Sequence, residues 1–228
     1  MKSKTFTFPF ISLLLLLFVV LSVARSYDFF YFVQQWPGSH CDTRRGCCYP
    51  TTGINPEANF TIHGLWPNYD NGKYPHDCDY KNRYDATKIK DLLPKMQTKW
   101  PTLECPSADG SKLWAHEWNR YGTCSESILD QHSYFRAGLD LQNKANILSI
   151  LEDANIRPNG ELYSTKHITE VIKEALGVLP SIECNRDASR NPQLFQIYLC
   201  VDKLGKDFID CPFYKKRKCS PEIEFPKF

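Results

Sequence analysis

The stretch His116-Glu117-Trp118-Asn119-Arg120-Tyr121-Gly122-Thr123-Cys124 decides how this chain is interpreted, together with the earlier stretch Phe60-Thr61-Ile62-His63-Gly64-Leu65-Trp66-Pro67. Each contains a histidine among aromatic residues. The later stretch follows a proline-free run and reaches a glycine, which predicts a helix that ends at Gly122. Side chains four apart on a helix share a face, so we expect His116 beside Arg120 and Glu117 beside Tyr121. One face of such a helix would carry the cationic pair His116 and Arg120. The other would carry Glu117 and Tyr121, which can form hydrogen bonds or transfer protons.

Both stretches resemble the two signature motifs of the ribonuclease T2 family, with plant S-like (extracellular) ribonucleases the most similar in pattern. The resemblance covers nearly the whole chain after residue 24, because it extends to the segments 29–38, 47–48, 134–135 and 193–201. It implies the family's fold and endonucleolytic cleavage of single-stranded RNA through a 2′,3′-cyclic phosphate. This reaction uses the ribose 2′-hydroxyl, so DNA is not an expected substrate.

One position departs from the family pattern and bears on catalysis. Active members read His-Glu-Trp, two residues, then His-Gly-Thr-Cys, so the resemblance puts Tyr121 where the second catalytic histidine belongs. A phenol with an ordinary pKa near 10 is a poor proton acceptor at neutral or acid pH. General-base catalysis is typically worth about 10² to 10⁴ in rate. We therefore predict ribonuclease activity that is strongly reduced or lost, unless His116 on the adjoining face takes over the base's role.

The resemblance also suggests roles for the other site residues. It makes His63 the general acid, His116 a phosphate ligand and Glu117 the support of the second imidazole. Arg120 occupies a position that is usually lysine, which keeps the charge but changes its geometry. The remaining candidates are expected to contact RNA bases, and they are Gln35, Trp66 and Leu113, the last at a position where plant members commonly carry an aromatic ring.

The amino terminus predicts a secretory leader. Residues 1–24 carry Lys2 and Lys4, an apolar run over 11–21 and a small-residue region, and this apolar part is short for a membrane span. Removing the leader leaves 26 basic residues, two fewer than the chain's 28, against 26 acidic ones. A neutral chain is not expected to hold RNA by broad electrostatic attraction. We expect one domain over 25–228, monomeric and not membrane-bound, in the extracellular space or the vacuole.

Ten cysteines after a secretory leader predict an oxidising compartment and five disulfides. The sequence alone leaves the pairing open. The resemblance suggests Cys41–Cys47, Cys48–Cys105, Cys78–Cys124, Cys184–Cys219 and Cys200–Cys211. No Cys-x-x-Cys pair occurs, so a metal site is not expected, nor is a cofactor. Asn59-Phe60-Thr61 is an N-glycosylation sequon.

Residue periodicity predicts an α+β fold, with helices packed on a mainly antiparallel sheet. Strands are expected over 29–36, 193–201 and 207–211, and a disulfide-stapled loop over 38–58. Helices are expected over 85–100, over 129–153 as one long or two short helices, and over 167–176 before Gly177. The basic run 215–218 is interpreted as a solvated loop.

Three functions fit these features. The first is a residual endoribonuclease that binds single-stranded RNA or nucleotides weakly. The second is a catalytically inactive storage protein, since a disulfide-rich fold survives the loss of one catalytic side chain. The third is a nucleotide- or protein-binding module that keeps the cleft.

Overall fold

An antiparallel sheet forms the centre of the fold in the computed structural model, which describes residues 27–214 and 219–228. The predicted leader and the basic run 215–218 therefore lie outside the described residues. The strands follow the order β2-β1-β5-β7-β3, and β4 and β6 also pair with β5. Only β5 and β7 run parallel to each other among the described pairs. The strands are β1 (Phe29–Gln35), β2 (Thr61–Asn68), β3 (Leu162–Ser164), β4 (Ser181–Arg186), β5 (Pro192–Val201), β6 (Phe208–Ile209) and β7 (Glu222–Glu224).

The α-helices pack against this sheet, so the α+β prediction is confirmed. They are α1 (Pro37–Cys41), α2 (Leu93–Lys99), α3 (Ser111–Arg120), α4 (Gln131–Lys144), α5 (Ile147–Asp153) and α6 (Thr165–Leu176). Short 3₁₀ helices cover Ala86–Ile89 and Gly122–Ser125. Gly177 ends α6 with φ of +75°, as predicted from the sequence.

The central strand β1 separates two apolar clusters. Alternate strand residues face opposite sides of a sheet. Phe30 and Phe32 join the large core under the helices. Phe29, Tyr31 and Val33 join a smaller cluster on the other face. Both faces of β1 are thus covered, and all seven of its residues are buried.

Several element boundaries differ from the prediction. The helix expected over 85–100 is two pieces, because Pro94 lacks an amide hydrogen and is tolerated only in the first turn of a new helix. The segment 129–153 is two helices, which resolves the alternative left open. The loop expected over 38–58 begins with α1, whose first residue is Pro37. Helix α3 ends at Arg120, and Gly122 instead opens the following 3₁₀ helix.

Gly122 is required for packing and not for a left-handed helix end. A Cβ at this position would overlap the six-membered ring of Trp118, which is fully buried. The five disulfides are the same pairs that the resemblance suggested. One of them, Cys78–Cys124, joins the loop after β2 to the chain just beyond α3. The end of the second motif is therefore covalently tied to the loop that follows the first.

Candidate active site

A β-bulge positions His63. The pairing of β1 with β2 runs from Val33 opposite Gly64 directly to Gln34 opposite Ile62, so His63 has no partner of its own. An extra residue of this kind changes the direction of a side chain relative to the regular pleat. A second bulge lies nearby, where the pairing of β4 with β5 skips Phe195 and continues at Gln196. The two irregularities bring His63 and Gln196 together.

The His63 ring is held by a short hydrogen-bonded chain. The hydroxyl of Tyr198 donates to Oε1 of Gln196 at 2.8 Å, and Nε2 of Gln196 lies 2.8 Å from Nδ1 of His63. In the neutral ring, Nδ1 accepts from this amide, which leaves the proton on Nε2. Burial lowers the pKa of His63 to about 4. His63 is therefore neutral at pH 7 and is protonated only at acid pH.

Glu117 is the most deeply enclosed acid of the site. Only 2% of this residue is exposed, and its Oε2 accepts a 2.9 Å hydrogen bond from the indole Nε1 of Trp66. Burial raises the pKa of Glu117 to about 8, and the hydrogen bond from Trp66 and the charge of Arg120 oppose that rise. Gly64 makes this arrangement possible, because a Cβ there would overlap Nε1 of Trp66 and approach Oε2 of Glu117 to 2.8 Å.

Tyr121 lies at the C-terminal end of α3 and closes one side of the site. Its ring packs 5.6 Å from Trp66 and 6.1 Å from His116, measured between ring centroids. Nε of Arg120 donates to the phenol oxygen at 3.2 Å, and the same guanidinium lies 3.6 Å from Asp77. Burial raises the pKa of the Tyr121 phenol, and the hydrogen bond from Arg120 only partly offsets this. The phenol is therefore neutral throughout the physiological pH range.

His116 and Arg120 lie on either side of Tyr121 near the end of α3. His116 is exposed, with its ring set edge-on to Tyr121. The Arg120 guanidinium carbon lies 5.5 Å from the centroid of the Tyr121 ring. Since Arg120 is always protonated, it supplies the fixed positive charge next to Tyr121.

Two open cavities flank these residues. A cavity of about 300 Å³ is walled mainly by aromatic rings; its lining residues are Tyr31, Trp66, Asn68, Gly72, Tyr74, Tyr121, Glu183, Tyr198 and Phe213. A second, of about 360 Å³, lies on the His63 side. Its lining includes Gln35, Leu113 and His40. Glu183 and Tyr198 line both cavities, so the two are neighbours across one wall.

The structure brings the sequence-selected residues to one region. His63, Gln35 and Leu113 line one cavity, and Trp66 and Tyr121 line the other. Leu113 also packs against the core, so an apolar residue at this position is explained by packing alone. Trp114 and Trp118 are buried core residues. The roles suggested for these side chains in binding and catalysis stay predictions.

Sequence reasoning missed several residues of the site. His40, which the sequence motifs do not include, is half-buried, with its ring stacked on Phe195 at 6.3 Å. Its proximity to His63 could not be inferred, because α1 was not predicted. Gln196 and Tyr198 were assigned only to a strand. A polar residue inside the apolar run 194–201 was the available signal for Gln196.

Neither a metal-binding cluster nor a membrane-spanning helix occurs among residues 27–214 and 219–228. No three His, Cys, Asp or Glu side chains in these ranges come together as a metal site would require. No helix there combines the length and apolar character needed to cross a bilayer.

Comparison with known proteins gives consistent matches along the chain. The profile of the ribonuclease T2 family matches residues 27–211. The extracellular ribonuclease LE of Solanum lycopersicum is 54% identical over 210 residues, 92% of this chain and 91% of that protein. The crystal structure of RNase NT in complex with 5′-AMP is 53% identical, with a TM-score of 0.85 over 90% of this chain and all of that one. A ribonuclease-like storage protein of Panax ginseng is 34% identical over 178 residues, 78% of this chain and 72% of that protein.

The profile match covers most of the described chain, and the tomato relative is similar over nearly its whole length. The sheet, its packed helices and the five disulfides agree with these similarities. This chain therefore belongs to the ribonuclease T2 family.

Proposed function

We propose that this protein is a secreted ribonuclease T2-family member whose RNA-cleaving activity is strongly reduced or lost, and whose cleft binds single-stranded RNA or nucleotides weakly. The observation that carries the proposal is the neutral phenol of Tyr121 at the position of the family's second catalytic histidine. Cleavage needs a base for the 2′-hydroxyl and an acid for the departing 5′-oxygen. His63 can supply the acid, but the phenol cannot supply the base.

The surrounding groups support the same conclusion. Burial raises the pKa of the Tyr121 phenol, so the phenol is not ionised at any physiological pH and cannot take up a proton. Glu117 is enclosed and has a pKa of about 8, so it keeps its own proton at neutral pH. His116 is the other imidazole beside Tyr121, and it sits at the exposed rim.

Nucleotide binding is supported by the parts of the site that do not need a second imidazole. Trp66 offers a ring that stacks on bases, and Arg120 offers a phosphate ligand. The relative RNase NT, 53% identical, binds 5′-AMP in its crystal structure. Secretion is supported by the extracellular tomato relative and by five disulfides, which persist in oxidising compartments.

The proposal is tested by two assays on the purified mature protein. Cleavage of single-stranded RNA between about pH 4 and pH 8 should be at or near background. Calorimetry should detect 5′-AMP binding with a Kd near millimolar, weakened by R120A. Efficient cleavage that H63A abolishes would contradict the loss of activity. No binding at millimolar 5′-AMP would contradict the retained cleft.

A storage role is a second candidate, favoured by one observation. The ginseng relative is a ribonuclease-like storage protein. Storage requires a stable fold and abundance, and it does not need a catalytic base. Quantitative proteomics of the producing tissues would test it, because a storage protein should be among the most abundant proteins of one organ at one season. Trace amounts in every tissue would exclude this role.

A further inference from the structure

The amide of Gln196 in β5 is the side chain that bonds to the His63 ring within residues 27–214 and 219–228. Nε2 of this amide lies 2.8 Å from Nδ1 of His63, and its Oε1 accepts from the Tyr198 hydroxyl at 2.8 Å. Gln196 and Tyr198 are buried, at 3% and 5% exposure. The hydrogen bonds of these three side chains therefore depend on one another.

The observed orientation of the amide suits only one protonation state of His63. A neutral imidazole has one nitrogen that accepts and one that donates, whereas both nitrogens of the protonated ring donate. With an N–H of Gln196 directed at Nδ1, that nitrogen must be the acceptor. Protonation adds a hydrogen to Nδ1 and sets two donors against each other across 2.8 Å. Buried donors are costly when they lack an acceptor, so the arrangement must change when the ring becomes charged.

Reversal of the Gln196 amide removes this conflict. Turned end for end, the amide presents Oε1 to the Nδ1–H of His63 and directs Nε2 at the Tyr198 oxygen. The hydroxyl fits both orientations, because it can donate to Oε1 or accept from Nε2 and its hydrogen rotates. Its ring packs on Tyr31 and Trp66, which holds the oxygen in place. We propose that Gln196 is a positioning residue for His63: its amide holds the neutral ring with the hydrogen on Nε2, and it turns around when Nδ1 takes up a proton.

The charged and titratable groups around His63 act on it at longer range. After the larger effect of burial, the positive charges of His40 on α1 and His116 on α3 lower its pKa. Glu117 on α3 bonds to Trp66, whose ring lies 5.1 Å from the His63 ring. The other titratable residues of the His63 cavity are Glu104, Glu183 and Tyr198. Since none of these groups bonds to the ring among the described residues, the amide is the group available to accept from Nδ1–H.

The reversed amide also suits His63 as an acid. His63 lines the cavity of about 360 Å³, and its Nε2 makes no hydrogen bond to the described residues. When Nε2 gives its proton to a substrate oxygen, the hydrogen on Nδ1 stays bonded to Oε1 of Gln196. This consequence rests on the proposed function of the site, whereas the reversal is measured on the free protein without RNA.

Nitrogen-15 NMR of the purified mature chain tests the reversal. At pH 7, the His63 signals should identify Nε2 as the protonated nitrogen, and a scalar coupling across the N–H···N bond should connect Nε2 of Gln196 to Nδ1 of His63. As His63 titrates, this coupling should vanish and a solvent-protected Nδ1–H signal should appear with the same midpoint. A ring that carries its hydrogen on Nδ1 at pH 7, or a protonated ring without a protected Nδ1–H, would overturn the proposal.

Two variants separate this positioning role from a structural one. Q196E places a carboxylate beside Nδ1, which accepts but cannot donate when ionised, so the midpoint of His63 should increase by about 1 to 3 pH units. Q35L is the matched control, because Gln35 pairs directly with Gln196 across the sheet and lines the same cavity. It should leave the protonated nitrogen, the coupling and the midpoint unchanged. An unchanged midpoint in Q196E, or an equal shift in Q35L, would show that Gln196 has no specific effect on His63 and would overturn the proposal.

Discussion

On the proposed function, replacing Tyr121 by histidine should turn on RNA cleavage, because an imidazole can act as the base that the phenol cannot supply. Tyr121 lies at the end of α3, half-buried against Trp66, and it makes one side-chain hydrogen bond, from Arg120. The smaller imidazole fits within the same space. Glu117, one helical turn back on α3, can then support the new ring.

The size of the gain follows from the two protonation states that must coexist. His63 must be protonated, with a pKa of about 4, and the new imidazole must be neutral, with an ordinary pKa near 6.5. Both conditions hold best near pH 5.2, where about 5% of each ring is in the required form. A base worth about 10² to 10⁴ in rate should therefore give roughly a 5- to 500-fold gain at that pH.

The assay is cleavage of a fluorescent single-stranded oligoribonucleotide, measured as kcat/KM from pH 4 to 8 for the parent, Y121H and the double variant H63A/Y121H. Y121H should show a bell-shaped profile with its maximum near pH 5, and the double variant should be inactive. The ratio of kcat/KM for Y121H to kcat/KM for the parent should increase toward pH 6.5, because the new imidazole loses its proton over this range. A parent that already equals Y121H would refute the reasoning, because another group would then be the base. A matched oligodeoxyribonucleotide should not be cleaved.

Three further predictions concern the same region. Glu117 has a folded pKa of about 8 against an ordinary 4.5, so the stability of the parent falls as pH rises between these values. E117Q cannot ionise, so its advantage in free energy of unfolding over the parent should be roughly 2 to 5 kcal/mol larger at pH 8 than at pH 4. Tm measured against pH for both proteins checks this. G64A should lower the free energy of unfolding by about 1 to 3 kcal/mol in urea titrations, because the added Cβ displaces the Trp66 indole from Glu117. L113F should tighten nucleotide binding by about 1 to 3 kcal/mol through stacking, whereas L113M should not, as calorimetry can decide.

The sequence predicted elements whose signals are local. Gly177 ends α6 in the left-handed conformation, and the alternation of Phe29 to Val33 describes β1 on both faces. The helix expected over 85–100 includes Pro94, although a proline is tolerated only in the first turn and therefore indicates that a new helix begins there. The strands β3 and β7 could not be found from local pattern, since each has three residues and depends on pairing with a strand distant in sequence, β3 with β7 and β7 also with β5.

The sequence predicted which residues form the site better than it predicted how they are arranged. The motif around His63 selected the right residues to examine, yet nothing in it shows the bulge that leaves His63 without a strand partner. A bulge depends on the register between β1 and β2, which are separated by the loop after α1 in sequence. The same holds for Gln196, whose contact with His63 spans 133 residues. Such contacts are set by tertiary packing and leave no periodic signal.

The way the site is built explains how one position could change while the rest persisted. Glu117 and Trp66 hold each other through a buried hydrogen bond, and Trp100 donates to the carbonyl oxygen of His63 at 3.2 Å. Loss of any of these side chains leaves a buried polar group unpaired or opens a cavity, with costs of about 1 to 5 kcal/mol. Position 121 follows the last helical residue, and its half-buried side chain packs on Trp66 and His116 but accepts no buried hydrogen bond of this kind. On the proposed function, a substitution at position 121 therefore removes catalysis and leaves the buried contacts of Glu117, Trp66 and Trp100 in place.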